Sequence, residues 1–246
     1  MSTMKPFLKY CGAVSLEDVE CIAQSQADAI GFIFAPSKRQ VDPDQVKQWL
    51  TDSQCRKKIT GVFVNEKIQK VCDITKHIPL DIVQLHGDET REDAKKIKQQ
   101  TGAIVWKVFH HDPDIKETLD QMTAFAPFVD GFLIDAKVKG MRGGSGTAFT
   151  WEAVPVYIQQ AKRLEKTCII AGGITPETLP ELLAYSPKAI DLSSGIEENG
   201  KKSSAKIKAL EERMLNECTH IQMSLADMEN SEGNLFPRRS CSHSKK

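Results

Sequence analysis

The sequence predicts an α/β protein, a single (β/α)8 TIM barrel, and three observations carry that prediction. Eight short apolar runs recur along the chain, amphipathic helix-like segments separate them, and polar residues gather where the runs end. Strand-sized runs alternating with helical patterns specify βαβ units and a parallel sheet. Eight such units close into a barrel whose active site sits on the loops after the strands. The length of 246 residues matches one such barrel and is enough to bury a large core.

The first run, residues 6–10, precedes a helical pattern over 15–25. The second, 29–34, is apolar throughout, as a strand buried on both faces requires, and leads to a helix over 43–50. Run three (59–64) precedes a helix over 66–77, and run four (81–85) a helix over 89–99. Runs five and six span 104–108 and 130–134. A glycine-rich, basic loop then extends from Asp135 to Thr147; its composition fits a segment closing over an anion and a solvated linker equally. Runs seven and eight span 167–171 and 188–192, and residues 201–213 read as the closing helix of a barrel domain covering 1–213. Residues 214–246 form a polar tail, expected to be helical for a few turns over 214–228 and disordered beyond.

Composition narrows the partners. Basic and acidic residues balance at 33 each, so no global field argues for nucleic acid or an anionic membrane. No apolar stretch approaches the length needed to span a bilayer, and residues 1–5 lack the apolar segment of a secretory signal. Seven cysteines without a C-x-x-C pair fit reduced thiols, and a cytoplasmic location is expected. The sequence does not specify an oligomeric state; a monomer is the favoured expectation.

The strand ends hold the candidate chemistry. Runs seven and eight end in Ala171-Gly172-Gly173-Ile174 and Asp191-Leu192-Ser193-Ser194-Gly195. Glycines there let backbone N–H groups approach a phosphate, Ser193 and Ser194 add hydroxyls, and a short helix start after run eight would aim its dipole at the anion. One Gly-Gly alone is ordinarily a turn needing positive φ. Two such loops, in the two positions where barrels commonly hold phosphate, point to a phosphorylated small molecule. The chain has no Walker A sequence, which disfavours a nucleoside triphosphate.

Cys11 follows run one and Asp135 ends run six. A strand-end cysteine acts as nucleophile or general base when its thiolate is stabilised, although a lone cysteine is more commonly a small buried hydrophobe. An aspartate after three apolar residues is a site carboxylate or a turn cap. A barrel aims both into one mouth, where one group removes a proton while the other donates one. Arg39, just beyond run two, suits a substrate carboxylate or is a surface charge. Gln84 and His86 flank the end of run four, and His86 either hydrogen-bonds a substrate or serves the fold. His110 and His111 follow run five without partners at metal-ligand spacing, so they read as solvent-facing and no metal site is expected.

Assembled, these residues resemble the phosphoribosylanthranilate isomerase family of tryptophan biosynthesis, most of all its bacillus-type members, over about residues 5–213. The resemblance rests on Lys9-Tyr10-Cys11-Gly12, Gly31-Phe32-Ile33-Phe34 with Ser37-Lys38-Arg39, and Gly61-Val62-Phe63-Val64-Asn65. It continues through Val83-Gln84-Leu85-His86-Gly87-Asp88, Ile134-Asp135 with Gly143-Gly144-Ser145-Gly146, Ile170-Ala171-Gly172-Gly173-Ile174 and Asp191-Leu192-Ser193-Ser194-Gly195-Ile196-Glu197. Each motif is weak alone; their order is specific.

The resemblance implies Cys11 as general base, Asp135 as general acid and Arg39 as the contact to the anthranilate portion. Gly172, Gly173, Ser194 and Gly195 would bind phosphate, with Gln84, His86 and Gly144 as further substrate contacts. The implied reaction is an Amadori rearrangement of N-(5'-phosphoribosyl)anthranilate to 1-(2-carboxyphenylamino)-1-deoxyribulose 5-phosphate, needing neither cofactor nor metal. It requires Asp135 protonated and Cys11 as thiolate. A neighbouring positive charge or a dipole would have to favour that thiolate, and Lys9, two residues away on the same strand face, is one candidate. The chain departs from the family at Val14, where threonine is frequent, at Ser145, commonly threonine, and at Ser203, commonly aspartate. Two alternatives stand beside this reading. One is another phosphate-binding barrel enzyme, such as a sugar-phosphate isomerase or indole-glycerol-phosphate synthase. The other is a non-catalytic barrel that binds phosphorylated ligands, since fold does not fix function.

Overall fold

A computed structural model describes residues 5–112, 114–136 and 151–233, with side chains as far as residue 219. Its strands are β1 (Phe7–Cys11), β2 (Ala29–Ile33), β3 (Lys58–Phe63), β4 (Ile82–Leu85), β5 (Ile104–His110), β6 (Gly131–Asp135), β7 (Thr167–Ala171) and β8 (Ala189–Leu192). They pair in parallel in chain order and β8 returns to β1, closing the barrel. Helices α1 (Leu16–Ala23), α2 (Pro43–Ser53), α3 (Ile68–His77), α4 (Arg91–Thr101), α5 (Ile115–Phe125), α6 (Val154–Arg163) and α7 (Leu179–Ala184) lie between successive strands. Local chemistry sets their starts. Asp42 caps α2 ahead of Pro43 in its first turn, and Thr90 with Asp93 forms a reciprocal capping box on α4.

The chain after β8 departs from the sequence reading. Residues 201–202 do not begin the closing helix. They form β10 (Lys201–Lys202), antiparallel to β9 (Glu197–Glu198), and the final helix α8 starts at Ser204 and runs to Gly233. The cause is Asn199-Gly200, whose positive φ values of 49° and 79° make the tight turn that a two-residue hairpin needs.

Alternate residues on each strand face the barrel axis or the helices. Leu8, Tyr10, Ile30, Phe32, Val83 and Leu85 face outward into the main apolar core under the helices. Inside, Phe7, Ile82, Trp106, Ile169 and Ala189 plug the end where the strands begin. Gly131 makes room for the indole, since a Cβ there would lie 2.9 Å from Trp106 Cδ1. Toward the other end the interior turns polar, with buried Lys9, Thr60, Gln84 and Asp191.

Aspartates bind the entrances of neighbouring strands. Asp28, Asp81 and Asp130 each stand just before a strand and accept the N–H of Leu8, Ile59 and Val105 on the preceding one, at 2.8, 2.8 and 2.9 Å. These aspartates opened two of the apolar runs, and their side chains satisfy strand-end donors that have no ladder partner. A buried ion pair works at the opposite end: Lys107 of β5 meets Glu89 at 3.1 Å, and Glu89 accepts the N–H groups of Asn65 and Gly87. This contact fixes the loops after β3 and β4, and with them Gln84 and His86.

Gly31 faces the same interior. A Cβ at this position would sit 2.8 Å from Cys11 Sγ and 3.2 Å from Lys9 Cε. Gly31→Ala is therefore expected to lower stability by about 1–3 kcal/mol through overpacking. Urea unfolding of the two proteins checks this, with a coincident midpoint as the contrary result.

Candidate active site

Where the strands end, one cavity of about 210 Å³ is lined by Cys11, Arg39, Gln84, His86, Asp135, Gly172, Gly173, Ser194 and Gly195, together with Asp191. The residues singled out in the sequence thus meet on a single surface. Gly144 is the exception: it falls in 137–150, outside the described residues. Cys11 ends β1 and Asp135 ends β6, while β7 and β8 between them carry the two glycine loops.

Beneath the cavity Lys9 Nζ lies 2.9 Å from Asp191 Oδ1, with side-chain exposures of 0% and 8%. Burial works against the Lys9 charge, yet Asp191 and Cys11 together more than compensate and hold the ammonium above its ordinary range, whereas at Asp191 burial outweighs the pull of Lys9 and raises the carboxyl. The Cys11 thiol moves the other way from the sequence expectation. Burial pushes its pKa up; Lys9 and Lys202 pull it down and Asp191 adds to the rise, so the net direction is upward. Lys9 is the candidate thiolate-stabilising neighbour, but desolvation outweighs it.

Gln84 is buried, with its Nε2 3.4 Å from His86 Nδ1, and its Oε1 has no hydrogen-bond partner among the described residues. An unpaired amide oxygen on a cavity-lining residue suits a ligand donor. His110 is exposed, as expected, whereas His111 is half-buried. His111 Nδ1 sits 2.9 Å from the Tyr157 hydroxyl, and His110 Nδ1 lies 3.9 Å from Asp135 Oδ2 with its ring 5.5 Å from that of His86. One ligand atom from each of His86, His110 and Asp135 falls within 4.8 Å of the others. A tetrahedral zinc ion draws its ligand atoms to about 3.3 Å apart, so this cluster is more open than a closed metal site.

The glycine loops have distinct physical requirements. Gly172 and Gly173 adopt φ of 86° and 69°, a left-handed region costly for other residues. Gly195 answers to space, because a Cβ there would collide with the carbonyl of Ile174 on the neighbouring loop. The two loops therefore pack backbone to backbone, and a 3₁₀ turn over Ser194–Ile196 replaces the expected helix start.

Arg39 is engaged rather than free. Its Nε donates to Glu197 Oε1 at 2.8 Å and its Nη2 to Glu197 Oε2 at 2.6 Å. Buried Lys202 donates to the same carboxylate at 2.8 Å and to the Cys11 carbonyl at 2.6 Å. From the sequence alone, neither Glu197, which appears only within a motif, nor Lys202 has a role at the site. The available signal was Asn199-Gly200, a hairpin turn that sets the residues flanking it opposite one another.

Burial, together with nearby His110, Lys9 and Lys107 and against the pull of Asp135, holds the His86 imidazole down to about 4 from 6.5. The unfolded chain therefore takes up this proton first as pH falls. The stabilising contribution is complete above about pH 6.5 and is lost toward pH 4. Denaturation across that window should show a fall that His86→Gln reduces by up to about 3 kcal/mol. Parallel pH profiles for the two proteins would contradict this.

A family model described as N-(5'phosphoribosyl)anthranilate (PRA) isomerase matches residues 8–213. The N-(5'-phosphoribosyl)anthranilate isomerase of Bacillus licheniformis is 51% identical over 211 residues, covering 85% of this chain and 95% of the relative. That of Bacillus subtilis is 50% identical over 210 residues with the same coverage. Among solved structures, phosphoribosyl anthranilate isomerase from Thermotoga maritima superposes with a TM-score of 0.73 at 31% identity, covering 86% of this chain and 99% of that one. A phosphoribosyl anthranilate isomerase in complex with reduced 1-(o-carboxyphenylamino)-1-deoxyribulose 5-phosphate gives a TM-score of 0.70 at 29% identity, with the same coverage. With its barrel matched from the first strand into the last helix and half of its aligned residues shared with bacillus proteins, the chain belongs to the N-(5'-phosphoribosyl)anthranilate isomerase family.

Proposed function

We propose that the chain converts N-(5'-phosphoribosyl)anthranilate to 1-(2-carboxyphenylamino)-1-deoxyribulose 5-phosphate, with Asp135 as general acid and Cys11 as general base. One observation carries this reading: both groups line a single cavity, and the two glycine loops that suit a phosphate stand on the strands between them. The name of the relative crystallised with the reduced phosphorylated compound supports the same substrate class.

The chemistry follows from the residue types. Protonated Asp135 donates to the furanose ring oxygen as the C1'–O bond breaks, and the aniline nitrogen lone pair forms the C1'=N iminium. The iminium makes the C2' hydrogen acidic. Cys11 thiolate takes that proton, the C–H pair becomes the C1'=C2' double bond, and the iminium pair returns to nitrogen. The resulting enolamine picks up a proton at C1' and loses the hydroxyl proton at C2' to give the ketone. Protons move and one C–O bond breaks without net redox change, so the steps invoke no cofactor. The phosphate loops and Arg39 hold the two charged ends of the substrate, fixing C2' relative to the thiol and the ring oxygen relative to the carboxyl.

Fluorescence of freshly prepared N-(5'-phosphoribosyl)anthranilate should disappear rapidly with the wild-type chain. Asp135→Asn and Cys11→Ser should each be slower by at least about 100-fold while keeping the same circular dichroism. Folded variants as fast as wild type would remove the assigned roles. Because the Cys11 thiol is raised, its thiolate absorbance should appear only at alkaline pH. Lys9→Met withdraws a charge that opposes that rise and should move the thiolate absorbance titration to still higher pH. An unmoved titration in Lys9→Met would show that Lys9 does not tune the thiol.

A further inference from the structure

We infer that Glu197 and Lys202 on the β9–β10 hairpin are positioning residues that aim Arg39 at the aryl carboxylate of the substrate and preserve its charge for that contact. The inference rests on the isomerase reading of the site. A guanidinium carries five N–H donors in a fixed planar fork. Glu197 takes the side edge, formed by Nε and Nη2. The end of the fork, with one Nη1 hydrogen and the second Nη2 hydrogen, remains to give a second carboxylate two parallel bonds. Arg39 is 18% exposed and lines the cavity, so Glu197 fixes the plane and direction of the fork at the cavity wall.

An isolated Arg39–Glu197 pair would carry no net charge and would offer an incoming carboxylate little attraction. Lys202 changes that balance. Its side chain is fully buried, and its ammonium donates to Glu197 Oε1, to the Cys11 carbonyl and to the Ser193 carbonyl at 2.8, 2.6 and 3.3 Å. Three acceptors account for its three hydrogens, so Lys202 has none left for a ligand. Two cations share one carboxylate, and the group keeps a net positive charge whose only donors turned toward the cavity belong to Arg39.

The surrounding chain is built for this arrangement. The strand register places Lys202 directly across from Glu197, and the Lys202 N–H is anchored on Asp18 at 2.8 Å. Gly12, at φ 82°, leaves the passage for the arginine, since a Cβ there would lie 2.7 Å from Arg39 Cδ.

The test uses the full chain and two probes: reduced 1-(o-carboxyphenylamino)-1-deoxyribulose 5-phosphate and the same compound without the carboxylate. Glu197→Asp keeps the charge but draws the carboxylate back by one methylene. It should weaken binding of the first probe by about tenfold or more and leave the second unchanged, with the turnover defect mainly in KM. Lys202→Met, which removes the second cation, should show the same split. Equal weakening of both probes would mean that the hairpin is merely structural and would overturn the inference. So would unchanged binding of both, or a wild type that does not distinguish the probes. Turnover by the wild-type chain is read separately; its absence would remove the isomerase reading and this inference with it.

Discussion

Taking Lys9 and Asp191 out of water costs several kcal/mol for each ion, and only their mutual contact at 2.9 Å makes that burial tolerable. The pair joins β1 to β8, the seam at which the barrel closes. It also marks the level where the interior changes from an apolar plug of Phe7, Ile82 and Trp106 to the polar floor of a cavity. Everything above it is placed relative to this contact: Cys11 stands two residues beyond Lys9 on β1, and Ser193 and Ser194 follow Asp191 on the loop after β8. Gly31 supplies the room that lets the lysine stem and the cysteine lie side by side.

The electrostatics of the mouth then become a balance between desolvation and a small number of buried cations. Arg39 lines the cavity with Lys9 and Lys202 buried behind its wall, each tied to a carboxylate, Asp191 serving Lys9 and Glu197 the other two. Burial raises the Cys11 thiol despite two of these cations, and it lowers the His86 imidazole toward neutrality. A base with a raised pKa is scarce as thiolate but strong once formed, which suits removal of a proton that the iminium has already made acidic. In the proposed reaction, two cations on Glu197 leave a positive group for the substrate carboxylate, and the glycine loops would receive the phosphate at the other end.

Much of this was legible in the sequence because it is local. Continuous apolar runs mark the strands, and their ends mark Cys11, Asp135, Gly172, Gly173, Ser194 and Gly195. Contacts between distant residues were not legible. Lys9 and Asp191 are 182 residues apart, Arg39 and Glu197 158, and Cys11 and Lys202 191. No local pattern distinguishes a buried, paired lysine from a solvated one. His110 is solvent-facing as its sequence suggested, but its closeness to Asp135 was not legible, because it depends on the register of β5 against β6. The start of the closing helix was misplaced because Lys201 and Lys202 continue a helix-compatible polar pattern, while the hairpin signal of Asn199-Gly200 comes just ahead of them. Gly144 belongs to 137–150, outside the described residues.

The division of labour across the mouth is open to one direct measurement, the kinetic isotope effect on turnover of substrate carrying deuterium at C2'. With Cys11 as base and Asp135 as acid, Cys11→Ser makes C–H cleavage limiting and should express a large primary effect. Asp135→Asn makes ring opening limiting, before C2' reacts, and should suppress it. An effect equally large in both variants, or absent from Cys11→Ser, would contradict the assignment of the proton abstraction to Cys11 and of ring opening to Asp135.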